Sequence, residues 1–399
     1  MLTVEQALAR ILSSIAPLGT EQVFLGMAQQ RALAKPIVAE RLLPPWDNSA
    51  MDGFAVRAAE VVVGRPLPIA FTVGAGDAPG PLDPGKVARI MTGAPLPPGA
   101  DAIVKREDAA ESDGQVAFSV KPSAGMHVRR AGDDVRPGVT VLARGEVLQA
   151  GELGLIAALG RTIVSVHRRP RVAIVSTGSE LVEADRVPRP GQIVGSNGWA
   201  LAAQCREAGA EPMVLPLVPD DRAAIRSAFE ASLTADVVLS SGGVSVGDFD
   251  FVKEVLDGLG VRQEFWKVAM KPGKPIAFGL APRGTPVFGL PGNPASSMVG
   301  FELFVRPALQ KMAGLGEGWE RPRAPVVLDE GYVHDGKRRH YLRARVRREG
   351  EILRARRLAQ QGSGMLRSMI GMNALLEIPE EAGALAAGDR VTALLFAAV

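Results

Sequence analysis

Four carboxylates and three lysines have the types and spacing to manage phosphate together with a divalent cation. Glu180, Asp220, Asp248 and Asp250 each follow a short apolar run, and Lys267, Lys271 and Lys274 lie in the segment WKVAMKPGKP. Carboxylates suit Mg²⁺, whereas ammonium groups meet phosphate oxygens. The same residues also fit ordinary surface ion pairing. The densest stretch runs from Asp236 to Gly260. Val237, Val238 and Leu239 form the apolar run of a strand covered on both faces. Ser240-Ser241-Gly242-Gly243 then permit a tight turn with uncovered backbone amides, and Ser245 and Gly247 continue the loop. From Phe249 the apolar residues recur at helical spacing. Strand, glycine turn and helix form a geometry that holds phosphates. Asp248 and Asp250 would repel a bare phosphate, which favours a phosphate with its cation. Equally, one of them could be an N-cap and the other a first-turn acid.

The elements that must position these residues divide the chain of 399 residues. Residues 3–15 show an amphipathic helical pattern with a Thr3/Gln6 capping box, and a second short helix is expected over Met27–Leu33, before Pro36. The segment 42–56 is irregular, rich in Pro, Asp and Asn, and reads as a functional loop or as a solvated turn. Residues 57–133 alternate in short runs between Gly/Pro clusters, as in a small β domain, with Thr92 at the end of one strand. The charged segment 127–142 reads as a loop between strands, and 146–160 as a helix. After Arg168-Arg169-Pro170 strands alternate with helices, including a final helix over 294–312, which predicts a three-layer α/β domain. Strands are expected at 172–177, 213–218, 237–239, 264–268, 276–280 and 287–290. Their carboxyl ends should share one edge, bringing together Thr177–Glu180, Pro219–Asp221, the loop from Ser240, and Pro291-Gly292-Asn293-Pro294. Residues 321–399 alternate as in a small antiparallel barrel, whose arginines form a solvated face or an anion contact. The expected boundaries are 1–44 with 134–168 (helical and extended), 45–133 (inserted β), 169–318 (α/β) and 319–399 (barrel).

Composition narrows the functional class. A net charge of +3 and 5% aromatic residues do not suit a nucleic-acid platform. The single cysteine, Cys205, leaves no disulfide or thiolate cluster, and the four scattered histidines have no zinc spacing. The first fifteen residues do not read as a signal peptide, and no run of about 18 apolar residues spans a membrane. A cytoplasmic location is the expectation. No P-loop lysine, GxSxG elbow or GxGxxG turn after the first α/β strand is present.

The segments PPWDNSAMDGFAV, RIMTGAPLPPGAD, VRRAGDDV, STGSEL, SSGGVSVGDFDF, MKPGKP and GLPGNPASS occur in this order. Together they resemble the molybdopterin molybdenumtransferase family, which includes the C-terminal domain of gephyrin. The resemblance spans essentially the whole chain. It implies insertion of molybdate into adenylylated molybdopterin, releasing AMP and molybdenum cofactor with the help of Mg²⁺. It also implies a homodimer with an active site shared between subunits, and a molybdopterin adenylyltransferase as substrate donor. Matched by motif, the catalytic positions would be Asp52, Thr92, Asp134, Glu180, Asp220, Asp250, Lys267 and Lys271, with Glu180, Asp220 and Asp250 as metal ligands. Ser241, Gly242, Gly243, Ser245, Gly247, Lys274, Pro291, Gly292, Asn293 and Pro294 would bind the pterin. The chain departs from the pattern at Ser179, where relatives often carry Asp, and at Asp248 and Phe251, where they often carry Glu and Tyr. Related α/β domains also serve adenylyl transfer to molybdopterin and non-catalytic scaffolding. The flanking domains favour insertion over the former, and the retained acids and lysines argue against the latter.

Overall fold

The computed structural model describes residues 1–243, 251–316, 320–334 and 336–396. The first helix, Val4–Ser13, begins with the expected capping box: the Thr3 hydroxyl accepts from the Gln6 amide, and the Gln6 side chain accepts from the Thr3 amide. Its apolar stripe, Val4, Ala7 and Ile11, joins the core that includes Leu309 and Met312 near the end of the long helical segment.

The helix expected over Met27–Leu33 does not form. A single 3-10 turn covers Leu25–Met27, and Gln30 then adopts a left-handed φ of 60°. The backbone beyond it bonds to other segments: the Leu33 amide donates to the Glu146 carbonyl, and the Ala34 amide to the Ser165 carbonyl. Distant strands use the donors that a local helix would have used. Around this segment pack helix Ala150–Ala158 and the ladder of Thr20–Phe24 with Ile163–His167, over a core of Leu33, Leu148 and Ile156.

Between residues 53 and 118 lies a six-stranded sheet. Its order is Ala102–Lys105, Gly53–Val56, Val87–Ile90, Leu67–Val73, Gln115–Phe118, Ala109–Ser112. Two apolar clusters, one containing Phe54 and Phe118 and the other Ala55 and Ile90, form its core.

The α/β sheet also has six strands, in the order Glu211–Val214, Arg171–Ser176, Val237–Ser241, Pro286–Leu290, Ala277–Leu280, Arg262–Phe265. The first four are parallel, and Ala277–Leu280 runs antiparallel to both of its neighbours. Alternate residues of the central strands enter two different cores. Val237 and Leu239 pack with helix Asn197–Glu207, and Val238 packs with helices Arg222–Ser232 and Phe251–Gly258. Both faces are therefore covered, as a run without polar alternation requires. The expected strand over 213–218 is displaced toward its amino end, because the chain leaves the sheet after Val214. The helix from Pro294 to Met312 is continuous through a π-helical turn at Phe301–Val305.

Five strands of the C-terminal region close into a barrel. Arg339–Glu349 pairs with both Ile352–Arg357 and Ala374–Ile378, and Arg323–Leu328 and Arg390–Leu395 complete the ring. Met270–Lys271 runs parallel to Arg339–His340, which ties the lysine segment to the barrel.

Candidate active site

A cavity of about 660 Å³ opens at the carboxyl ends of the parallel strands. Thr177, Gly178, Glu180, Asp220, Ser241, Gly242, Gly243, Pro291, Gly292, Asn293 and Pro294 line it, so strand ends far apart in sequence converge there. The glycine turn follows from close approach. Gly242 and Gly243 have φ of 94° and 66°, and a Cβ on Gly242 would lie 2.5 Å from the Thr177 carbonyl oxygen. Only glycine adopts that backbone and admits that neighbour without strain.

Two carboxylates sit on the rim. The Asp220 carboxylate accepts from the Ser179 amide at 2.9 Å, and the Ser179 hydroxyl accepts from the Asp220 amide at 3.0 Å. Asp221, next in sequence, caps helix Arg222–Ser232 by accepting from the Ala224 amide. Asp221 thus takes the structural role and leaves Asp220 on the cavity. The exposed Glu180 carboxylate folds back over Gly178, where a Cβ would meet Glu180 Oε2 at 2.5 Å.

Asn197, the first residue of helix Asn197–Glu207, joins two walls. Its Nδ2 donates to Ser241 Oγ and to the Gly292 carbonyl, both at 2.8 Å. The C-terminal barrel supplies a further wall: Asn293 Nδ2 donates to Ser363 Oγ at 3.1 Å, the Ala295 amide donates to the Ser363 carbonyl, and Gly364 lines the cavity. The composition AQQGSGM marks a loop, but nothing local shows where that loop docks. Arg343 holds it from behind, donating to the Gly362 carbonyl at 3.0 Å and to Ser368 Oγ at 3.2 Å. This guanidinium is 1% exposed and has no carboxylate partner among the described residues. Burial lowers its pKa to about 10. It remains charged at neutral pH, an uncompensated cation behind the cavity wall.

The other expected positions lie elsewhere or in different surroundings. Ser245, Gly247, Asp248 and Asp250 fall outside the described residues. Lys267 and Lys274 are exposed and Lys271 is half-buried; Pro275, beside Lys274, lines the cavity. Asp52 and Thr92 form a pair of their own, the Thr92 amide and hydroxyl donating to Asp52 Oδ1 at 2.6 and 2.7 Å. These bonds, the amide's foremost, hold the Asp52 carboxyl below its ordinary range. Asp134 is exposed in an adjoining loop, its amide bonded to the Leu43 carbonyl. None of these three lines the cavity formed by the described residues of the same chain.

Ser176 and Thr177 are buried in the cavity wall, and their hydroxyl oxygens have no hydrogen-bond partner among the described residues. Buried polar atoms without partners invite a polar ligand. The start of helix Asn197–Glu207 and the start of the long helix at Pro294 both face the cavity, adding positive dipole ends.

Fold and site together define a multidomain α/β protein whose cavity at the strand carboxyl ends is walled by a glycine turn, two helix starts and a barrel loop. Three family models match: the MoeA N-terminal region (domain I and II) over residues 2–160, the probable molybdopterin binding domain over 173–311, and the MoeA C-terminal region (domain IV) over 325–396. A molybdopterin molybdenumtransferase of Nostoc sp. is 41% identical over 81% of this chain and 76% of its own. That of Haemophilus influenzae is 36% identical over 98% of each chain. The crystal structure of the molybdopterin biosynthesis MoeA protein of Pyrococcus horikoshii matches with a TM-score of 0.84 and 30% identity, over 99% of this chain and 100% of that one. The chain belongs to the MoeA family of molybdopterin molybdenumtransferases.

Proposed function

We propose that this protein inserts molybdate into adenylylated molybdopterin, releasing AMP and leaving molybdenum cofactor. The observation that carries this reading is the convergence of Glu180 and Asp220 with the Gly242-Gly243 turn and two helix starts on one cavity. The amides of the turn and the helix starts would hold the phosphates, and Asn197 would keep the two walls in register. Asn293 and Gly364 would close the cavity against water with the barrel loop. Arg343 adds positive potential that favours molybdate, a dianion, over neutral solutes.

The donors fit Mg²⁺ held jointly with substrate. Among the described residues no cluster of three or more His, Cys, Asp or Glu side chains could hold a metal. Mg²⁺ keeps several waters and takes one or two carboxylates plus phosphate oxygens, a need that Glu180 and Asp220 meet. Asp250 is the expected third acid. When bound, the ion would polarise phosphate oxygen at the bond that breaks.

Asp52, Thr92 and Asp134 are proposed to reach the cavity from a second copy of the chain, in a homodimer with shared active sites. A molybdopterin adenylyltransferase is the proposed substrate donor, and the cytoplasm the proposed location. No helix among the described residues is long and apolar enough to cross a membrane.

Purified protein incubated with adenylylated molybdopterin, Mg²⁺ and molybdate should release AMP, measured by chromatography. Absence of AMP would overturn the assignment. Rapid formation of pyrophosphate from ATP and free molybdopterin would reassign the protein to adenylyl transfer. Light scattering at assay concentration should show a dimer, and an active monomer would refute the shared site.

A further inference from the structure

Strands Arg339–Glu349 and Ile352–Arg357 place arginine directly opposite arginine twice: Arg347 faces Arg354, and Arg345 faces Arg356. Like charges in such positions destabilise a sheet. The first pair is neutralised from within. Asp329 lies 2.5 Å from Arg347 and 2.9 Å from Arg354, and Glu349 lies 2.7 and 3.5 Å from the same two. The second pair has no such neighbour. Arg345 donates from Nε to the Gly371 carbonyl at 3.1 Å, and among the described residues neither Arg345 nor Arg356 meets a carboxylate.

The surroundings are apolar and open. Gly371, under Arg345, follows Ile370, which is 73% exposed, and the turn before it exposes Met365, Leu366 and Arg367. Residues 323–396 hold thirteen arginines and lysines against nine carboxylates. The turn also begins two residues after Ser363, which bonds Asn293 at the cavity rim, so one continuous loop links the patch to the cavity wall.

We propose that this face of the barrel docks an acidic segment of a partner protein. One carboxylate would bridge Arg345 and Arg356 as Asp329 bridges Arg347 and Arg354, and an apolar side chain would pack on Ile370. The apolar rim argues for a peptide over a small anion, to which it offers nothing. Among the described residues, none that forms the patch is aromatic, so it offers bases no stacking surface, which argues against single-stranded nucleic acid. Its link to the cavity wall through the barrel loop suits a partner that delivers substrate or receives product.

The test uses the full chain and a fluorescein-labelled peptide containing Asp-Glu-Leu-Asp-Glu, read by anisotropy. Two control peptides carry Asn-Gln-Leu-Asn-Gln or Asp-Glu-Ser-Asp-Glu. The first peptide should bind at least tenfold more tightly than either control. Arg356→Glu and Arg345→Ala should each weaken it at least tenfold, while leaving AMP release from free substrate unchanged. Arg356→Glu should also raise the melting temperature, because it turns a repulsion into an ion pair. Several outcomes would overturn the proposal: no binding, or equal binding of the controls; displacement by inorganic phosphate or a short oligothymidylate as readily as by unlabelled peptide; a lowered melting temperature in Arg356→Glu; or a changed oligomeric state, which would make the patch a contact between copies.

Discussion

The carbonyl oxygen of Thr177 lies 2.5 Å from the point where a Cβ on Gly242 would stand. A carbonyl held in this way cannot swing aside like a flexible side chain. The Thr177 amide also donates to the Ser241 carbonyl, and the Gly242 amide to the Leu290 carbonyl, so three strand ends are fixed together at the turn. Gly242→Ala is expected to cost about 1–3 kcal/mol of stability through overpacking and a left-handed φ. It should also widen the turn and raise KM for the adenylylated pterin. Urea melts and initial rates of AMP release check both. Unchanged KM with lowered stability would mean that the turn does not touch the substrate.

Asn197 offers a second test of the cavity walls. Its Nδ2 holds Ser241 and Gly292 at once, and Asn197→Asp replaces that donor by an acceptor facing a carbonyl. Loss of two hydrogen bonds should cost about 1–3 kcal/mol, and the walls should separate. The expected kinetic result is a rise in KM of tenfold or more, with a smaller change in kcat. A variant that melts lower but keeps its KM would reduce Asn197 to a structural tie.

Local pattern made some of this legible and long-range pairing concealed the rest. Thr3 and Gln6 announce the first helix because both partners of the capping box lie within four residues. The apolar runs at 172–175 and 237–239 likewise announce buried parallel strands, since covering both faces removes polar alternation. Met27–Leu33 misled because its helical composition is overruled by bonds to residues 146–148 and 165–167, more than a hundred positions away. The motif residues of the cavity could be gathered from strand ends, but Asn197, Ser363 and Arg343 could not. Their importance lies in partners at residues 241, 292, 293 and 362, and no spacing rule connects them.

Asp52 and Thr92 give a prediction in pH. The Asp52 carboxyl is held below its ordinary value, mainly by the Thr92 amide and then by the Thr92 hydroxyl. A carboxyl depressed in the folded state contributes stability above its unfolded pKa, and that contribution is lost as pH falls through the folded value. Thr92→Val removes the hydroxyl's bond, keeps the amide's, and should move the Asp52 titration upward. Carbon-13 NMR of the Asp52 carboxyl measures the shift directly, and an unmoved midpoint would show that the hydroxyl contributes nothing. The variant should also lose less stability on acidification through this range.

Glu302 is the site of the largest expected effect on stability. It is 5% exposed within the π-helical turn. Its Oε2 accepts from Arg306 Nε at 2.9 Å and Arg321 Nε at 3.1 Å, and its Oε1 accepts from Gln204 Nε2 at 3.0 Å. Arg321 also donates to the Phe396 carbonyl and lies over the Phe396 ring, so one carboxylate ties both ends of the barrel to the long helix. Glu302→Gln keeps the shape, leaves the Arg321 guanidinium without a carboxylate partner among the described residues, and leaves buried Arg306 with only the exposed Glu207, 3.5 Å away. Breaking such a network from one side costs about 3–5 kcal/mol, whereas replacing all charged members by apolar residues is often neutral. Glu302→Gln should therefore destabilise strongly in urea melts, and Glu302→Leu combined with Arg306→Leu and Arg321→Leu should regain most of the loss. The same helix begins at Pro294 on the cavity, so the single variant is also expected to raise KM for the adenylylated pterin. If Glu302→Gln melts within about 1 kcal/mol of the parent protein, the ion cluster is not what fixes the barrel to the helix, and the neighbouring apolar contacts of Phe301 and Phe304 must do so instead.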